Sequence, residues 1–183
     1  MTNRAFTFTG GTTGSYRVVR ASAVVGEALP SVARIAVTSG ILPATGERAA
    51  WFLRGVMSNE RYVSRVDKER LASYAPTFGH AEATCAALIP IRKNDAWWAL
   101  TQDERLAIFA ERHVALGERI YPSLARRLHH CRDLGSDEPF DFLTWFEYAP
   151  SDEAAFDDLL AALRDTTEWQ YVEREVDVRL VRD

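Results

Sequence analysis

Residues 101–148 read TQDERLAIFAERHVALGERIYPSLARRLHHCRDLGSDEPFDFLTWFEY. The first twenty of them carry a helical period, with Leu106, Phe109, His113, Leu116 and Ile120 on one face. Thr101 can cap that helix, and Glu104 three residues later completes a capping box. Pro122 would break the hydrogen-bond ladder of a continuing helix. Leu124 to Cys131 is a strand candidate, residues 135–139 form a turn, and Phe140 to Tyr148 is a strand rich in Phe, Trp and Tyr.

Working outward, Ala83 to Ile91 is apolar enough for a central strand, and a loop from Lys93 to Trp98 carries a Trp pair. Downstream, Ser151 or Asp152 caps a helix bearing Phe156, Leu159, Leu160 and Leu163. Tyr171 to Leu180 is a last strand. Val172, Val176, Val178 and Leu180 fall on one face, with Glu173, Glu175, Asp177 and Arg179 on the other. The order is strand, helix, strand, strand, helix, strand, which is ferredoxin-like and of the α+β class. It assigns residues 81–183 to one ferredoxin-like domain.

The first eighty residues are less regular. Ala5 to Thr9, Tyr16 to Ala23 and Trp51 to Met57 are strand candidates. Gly26 to Val37 predicts a short helix, and the charged run from Arg61 to Leu71 a second. Residues 1–80 then form a reduced ferredoxin-like part whose sheet joins that of the second half, leaving helices outside, as in a dimeric α+β barrel. GGTTG at residues 10–14 lacks the Lys-Ser/Thr and the following helix of a phosphate-binding loop.

Net charge is −4, which gives no electrostatic case for nucleic acid or an anionic membrane. No apolar run is long enough to span a bilayer. The N-terminal MTNRAFTFTGG lacks the apolar core of a secretory signal, which argues for a cytoplasmic protein. Cys85 and Cys131 follow no metal-binding spacing and read as free thiols.

Three of the four histidines, His113, His129 and His130, lie in the opening stretch beside the Arg126-Arg127 pair. An imidazole on an apolar helix face is a core residue or a ligand. His129 and His130 alternate on their strand, so only one faces inward. In one unbroken helix His113 and Arg126 would lie about 20 Å apart. The break at Pro122 lets the chain fold back and present them to one cavity. A ring-lined, partly basic cavity suits a haem or an anionic substrate. Composition does not separate haem from a flavin or another organic ligand.

Three runs go further: RKNDAWWALTQDERLAIFAERH from Arg92, YPSLARRLHHCRDLGSDEPFDFLTWFEYAP from Tyr121, and EWQYVEREVDVRL from Glu168. They resemble the chlorite dismutase family, in particular its short, dimeric branch. The resemblance covers the chain from Leu53 to the end and is strongest in the second half. It implies haem b, with its iron held by His113 and a homodimeric assembly. It makes Arg126 the distal, catalytic arginine. It makes Glu168 the acid that hydrogen-bonds the proximal histidine and raises its basicity. Tyr62, Lys93 and Trp97 fall where the family contacts the haem or its propionates, so Lys93 is expected to pair with a propionate. Trp98 and Trp145 are expected to wall the cavity. Where some short members place a glutamine beside the distal arginine, this chain has Ser73-Tyr74-Ala75. The implied reaction is conversion of chlorite to chloride and dioxygen with O–O bond formation. A weak haem peroxidase or a coproheme decarboxylase shares the resemblance. A haem-binding protein without turnover would keep His113 and have no use for Arg126.

Overall fold

Eight antiparallel strands close into one barrel. The computed structural model describes residues 4–41, 49–58, 78–110, 124–135 and 137–183. The first four strands are β1 (Ala5–Gly11), β2 (Tyr16–Val25), β3 (Arg34–Ser39) and β4 (Ala49–Met57). Next come β5 (Cys85–Lys93) and two helices, α1 (Asp95–Ala99) and α2 (Gln102–Ala110). Then follow β6 (Leu124–His130), β7 (Phe142–Tyr148), α3 (Glu153–Arg164) and β8 (Val172–Arg182). Short 3-10 turns, Pro150–Asp152 and Thr167–Tyr171, flank α3.

Round the barrel the order is β1-β3-β2-β8-β5-β7-β6-β4. Within the second half this runs fourth, first, third, second strand. Read from β4, the first half runs in that same order. The fold is therefore α+β and ferredoxin-like, two such sheets joined along β2–β8 and β4–β6. We propose that residues 1–80 and 81–183 are the corresponding units.

The pleat sends alternate side chains to opposite faces. Phe8, Ile35, Leu53, Leu88, Leu143, Val176, Val178 and Leu180 fill the inside. Ala87, Ile89, Ile91, Phe142, Phe146 and Tyr148 form an outer apolar face, packed with Phe156, Leu159 and Leu160 of α3. Each such side chain contributes about 1.5–3 kcal/mol by leaving water. Val172 belongs to the outer cluster, apart from Val176, Val178 and Leu180. The pairing of β8 with β5 shifts register at Arg92 and Lys93, which breaks the simple alternation expected there. From Glu175 to Arg179 the charged face of β8 is buried too. Arg164 of α3 bonds Glu175 at 2.7 Å, and Arg179 bonds Asp157 at 2.7 Å.

Two local expectations change. The helix expected over Gly26 to Val37 is instead an irregular segment followed by β3. Pro30 offers no N–H to a helix interior. Its carbonyl accepts the indole N–H of Trp51 at 3.0 Å, while Leu29 and Val32 pack on the core. The expected loop from Lys93 to Trp98 contains α1, because the Asn94 side chain accepts the Trp97 N–H at 3.1 Å. The capping box forms as expected. Thr101 N–H reaches Glu104 at 2.6 Å, and Glu104 N–H reaches Thr101 at 3.3 Å. The helices expected over Arg61 to Leu71 and beyond Ala110 lie outside the described residues. Among those described, no helix is long and apolar enough to cross a membrane.

Trp51 depends on a missing side chain. A Cβ at Gly10 would stand 2.1 Å from its ring. Gly10→Ala is expected to destabilise the barrel by about 1–3 kcal/mol, as overpacking does. Gly79→Ala is no substitute control, because Gly79 has a positive φ of 80°. Ala36→Gly is the better comparison. Urea midpoints of both variants against the parent check this.

Candidate functional site

Strand pairing sorts the candidates on β6 without ambiguity. Arg126 lies opposite Phe146, which lies opposite Ala87. Leu128, Thr144 and Ile89 form the next row, and His130, Phe142 and Ile91 the one after. These rows are the outer apolar face. Arg127 pairs with Trp145, and His129 with Leu143, on the inner face.

Arg126 is half-buried on the outer face. Arg127 turns into the barrel, its guanidinium 4.0 Å from the centre of the Phe78 ring and 4.9 Å from that of Phe6. His129 packs against the rings of Phe6 and Phe8, each 5.2 Å away. Its Nδ1–H donates to the Leu143 carbonyl at 3.0 Å. Burial, aided by Arg127 and Arg126, pushes its pKa down to about 4, so the ring is neutral at neutral pH. His130 lies on the outer face with its ring edge-on to Phe142 at 5.0 Å.

At the far end of β5 the structure gives Lys93 a protein partner. Its ammonium is buried and bonds Glu168 Oε1 at 2.7 Å and the Glu168 carbonyl at 3.3 Å. It is engaged by Glu168 rather than held ready on a loop for a propionate. Burial lowers the Lys93 pKa, and Glu168 opposes that shift. The ammonium also stands 4.6 Å from the centre of the Trp97 ring. Trp97 is fully buried between Phe109 of α2, at 5.6 Å, and Tyr171, at 5.5 Å. The Lys93–Glu168 pair thus sits in a cluster that anchors α2, the helix leading towards His113. His113, Tyr62 and Ser73-Tyr74-Ala75 lie outside the described residues.

Trp98 lies over the outer face, stacked on Phe142 at 6.1 Å. The guanidinium of Arg132 stands 3.9 Å from its ring centre and that of Arg105 5.5 Å. Its buried indole N–H finds no acceptor among the described residues. Trp145 does not share this face. It stands inside the barrel, 5.6 Å from Phe8 and 4.8 Å from Tyr16, because position 145 alternates with 144 and 146. The sheet separates it from Arg126.

Sequence reasoning missed Arg105, Arg132 and Asp141. Buried Asp141 accepts the Lys93 backbone N–H at 2.7 Å and lies 3.5 Å from Arg132. Arg105 stands seven residues after Trp98 but Arg132 thirty-four, so nothing local in the sequence pointed to their meeting. The partnership of residues 93, 132 and 141 is tertiary.

The described residues have the chemistry a haem would need beside its iron ligand. Ile89, Ile91, Leu128 and Phe142 give an apolar face. Arg105, Arg132 and the orphan indole N–H of Trp98 suit acidic groups at a ring edge.

No protein-family model matches the chain. Its structure superposes on that of a dimeric chlorite dismutase from Nitrobacter winogradskyi with a TM-score of 0.87. The two sequences are 49% identical, over 97% of this chain and 99% of that one. A substituted form of the chlorite dismutase from Candidatus Nitrospira defluvii aligns with a TM-score of 0.66 at 17% identity, over 100% of this chain and 93% of that one. That second likeness bears on the fold alone. A chlorite dismutase from Ideonella dechloratans is 34% identical over 86 residues, which are 47% of this chain and 28% of that protein. With near-complete mutual coverage of the Nitrobacter protein, and with the fold shared, the chain belongs to the chlorite dismutase family.

Proposed function

We propose that the chain binds haem b and converts chlorite to chloride and dioxygen, forming the O–O bond. The observation that carries this reading is the placement of Arg126 on the outer apolar face, with Arg127 turned into the barrel. A haem carrier would need the apolar face but not a guanidinium on it. Bound haem supplies the oxygen-transfer chemistry at iron.

The residues of the chain have separate tasks. His113 would hold the iron. Glu168 orients His113 and strengthens it as a ligand, and Lys93 fixes Glu168 in turn. Tyr62, Trp97 and Trp98 bind the cofactor, with Arg105 and Arg132 beside Trp98. Arg126 would draw in the chlorite anion and hold it in place, which makes the reaction effectively unimolecular. The named relatives act on chlorite, and the Nitrobacter protein is dimeric. We extend both properties to this chain, and with them a homodimer at work in the cytoplasm.

Arg126→Ala is expected to lower kcat/KM for chlorite by about tenfold, the loss of one charge-assisted hydrogen bond of ~1.5 kcal/mol. It should also release trappable hypochlorite and bleach its haem sooner. Arg126→Lys keeps the charge without the fork and should fall between the two. Arg127→Ala should leave the rate per haem unchanged. Dioxygen yield, a chlorination probe and haem absorbance are recorded together. Unchanged turnover in both arginine variants would rule out a distal-arginine mechanism. Peroxide turnover without dioxygen from chlorite would reassign the chain to a haem peroxidase.

A further inference from the structure

Inside the barrel, two side chains donate to one oxygen atom. The Tyr16 hydroxyl of β2 donates to Glu147 Oε1 at 3.0 Å, and the Trp145 indole N–H donates to that same atom at 3.0 Å. The two rings meet edge to face, 4.8 Å apart. Glu147 Oε2 accepts the Gly79 N–H at 2.8 Å. Trp145 and Glu147 are buried, on the sheet face opposite Arg126. Arg127 and Arg182 are the cations that act on Tyr16, and Phe8 closes over Trp145. Apolar side chains would fill this space without the cost of desolvating a carboxylate.

An aromatic pair sharing a buried base has a specific chemical capability. Burial, then Glu147, pushes the Tyr16 phenol up to about 12, so it does not ionise alone at neutral pH. It can lose a proton together with an electron, because the acceptor oxygen already holds its hydrogen bond. Trp145 is one backbone step from Thr144 and Phe146, which project to the outer face.

We propose that Tyr16, Trp145 and Glu147 form a proton-coupled electron donor that quenches oxidising equivalents arriving through β7 from the site on its outer face. The source of those equivalents rests on the haem reading: an iron porphyrin oxidised beyond its resting state. The oxidant takes one electron from Trp145, leaving an indole radical cation. Tyr16 returns one electron to the indole and passes its phenolic proton to Glu147 Oε1. The products are a neutral tyrosyl radical, an intact tryptophan and a protonated carboxyl. The positive indole and the negative carboxylate disappear together, so the buried cluster, which carries one negative charge before oxidation, ends neutral.

Two experiments on the full chain test this. In the first, a ruthenium photo-oxidant is tethered at Arg17→Cys, an exposed position, with Cys85 replaced by Ser. Flash-quench oxidation is read by electron paramagnetic resonance with ring-deuterated tyrosine. A tyrosyl radical is expected. Tyr16→Phe should replace it with a tryptophan radical. Glu147→Gln, which keeps the shape but removes the base, should lower the tyrosyl yield by at least about tenfold. An unchanged tyrosyl yield in either variant overturns the proposal. In the second, one equivalent of a peracid is added to haem-loaded chain. The same tyrosyl signal should appear, and Tyr16→Phe and Trp145→Phe should bleach sooner at an unchanged initial rate. A retained haem spectrum with no Tyr16-dependent signal also overturns it. Failure to retain haem sinks the haem reading instead, and the flash-quench arm still decides the Tyr16–Glu147 transfer.

Discussion

Lys93→Met is expected to lower the unfolding free energy by about 3–5 kcal/mol, because it leaves a buried carboxylate without its cation. Methionine keeps the length and apolar stem of Lys93 but cannot reach Glu168 Oε1 with a charge. The side chain of Lys93 is 0% exposed and that of Glu168 6%, so water cannot replace the lost ammonium. The double variant Lys93→Met/Glu168→Gln should recover much of the loss, since both ends of the pair are then neutral. One residue earlier, Arg92 pairs with Glu173 at 2.7 Å, but the two are 54% and 43% exposed. Arg92→Ala should therefore cost less than about 1 kcal/mol. Urea unfolding followed by tryptophan fluorescence separates the two positions. If Lys93→Met matched Arg92→Ala, the pair would not contribute as a buried one. In its proposed role, Glu168 would then need another support.

Chain isolated as His113→Ala is expected to be nearly colourless. Substitution of a residue that only orients a metal ligand typically costs about 10–100-fold in metal affinity, and loss of the ligand itself should exceed that. The measurement is haem per chain after reconstitution and gel filtration, with the Soret band as the spectral check. His129→Ala and His130→Ala serve as controls of different kinds. His129 is locked inside the barrel between Phe6 and Phe8, so its variant should lose stability and keep haem. His130 shares the outer face, edge-on to Phe142, and its variant should keep the iron ligated. An unchanged Soret band in His113→Ala would remove His113 as the ligand and bring His130 forward.

The elements that the sequence made plain are those whose cause is local. The capping box of Thr101 and Glu104, the aromatic run of β7 and the alternation of β8 from Glu175 onward each follow from residues a few positions apart. The β3 strand was hidden because Pro30 and its neighbours read as part of a helix. What sets them is the Trp51 indole, twenty-one residues on. The pairing of Lys93 was hidden for the same reason on a larger scale: its partner lies seventy-five residues away. Trp145 is a different case. The parity that separates it from Thr144 and Phe146 was available in the sequence, but an aromatic residue near a supposed cavity was assigned to it without applying that parity. Arg126 was distinguished from Arg127 by resemblance, and strand pairing then placed them on opposite faces.

That alternation along β6 has a consequence for how the gene can drift. Leu124, Arg126, Leu128 and His130 belong to one face and Ala125, Arg127 and His129 to the other. Selection therefore reads the strand as two interleaved texts. Changes at the odd positions are judged by whether the barrel forms at all, through the rings of Phe6, Phe8 and Phe78. Changes at Arg126 and Leu128 are judged by what happens on the outer surface. Adjacent codons thus evolve under separate constraints. A lineage can abandon the chemistry while keeping the barrel, and the second text would lose its meaning with the first still intact.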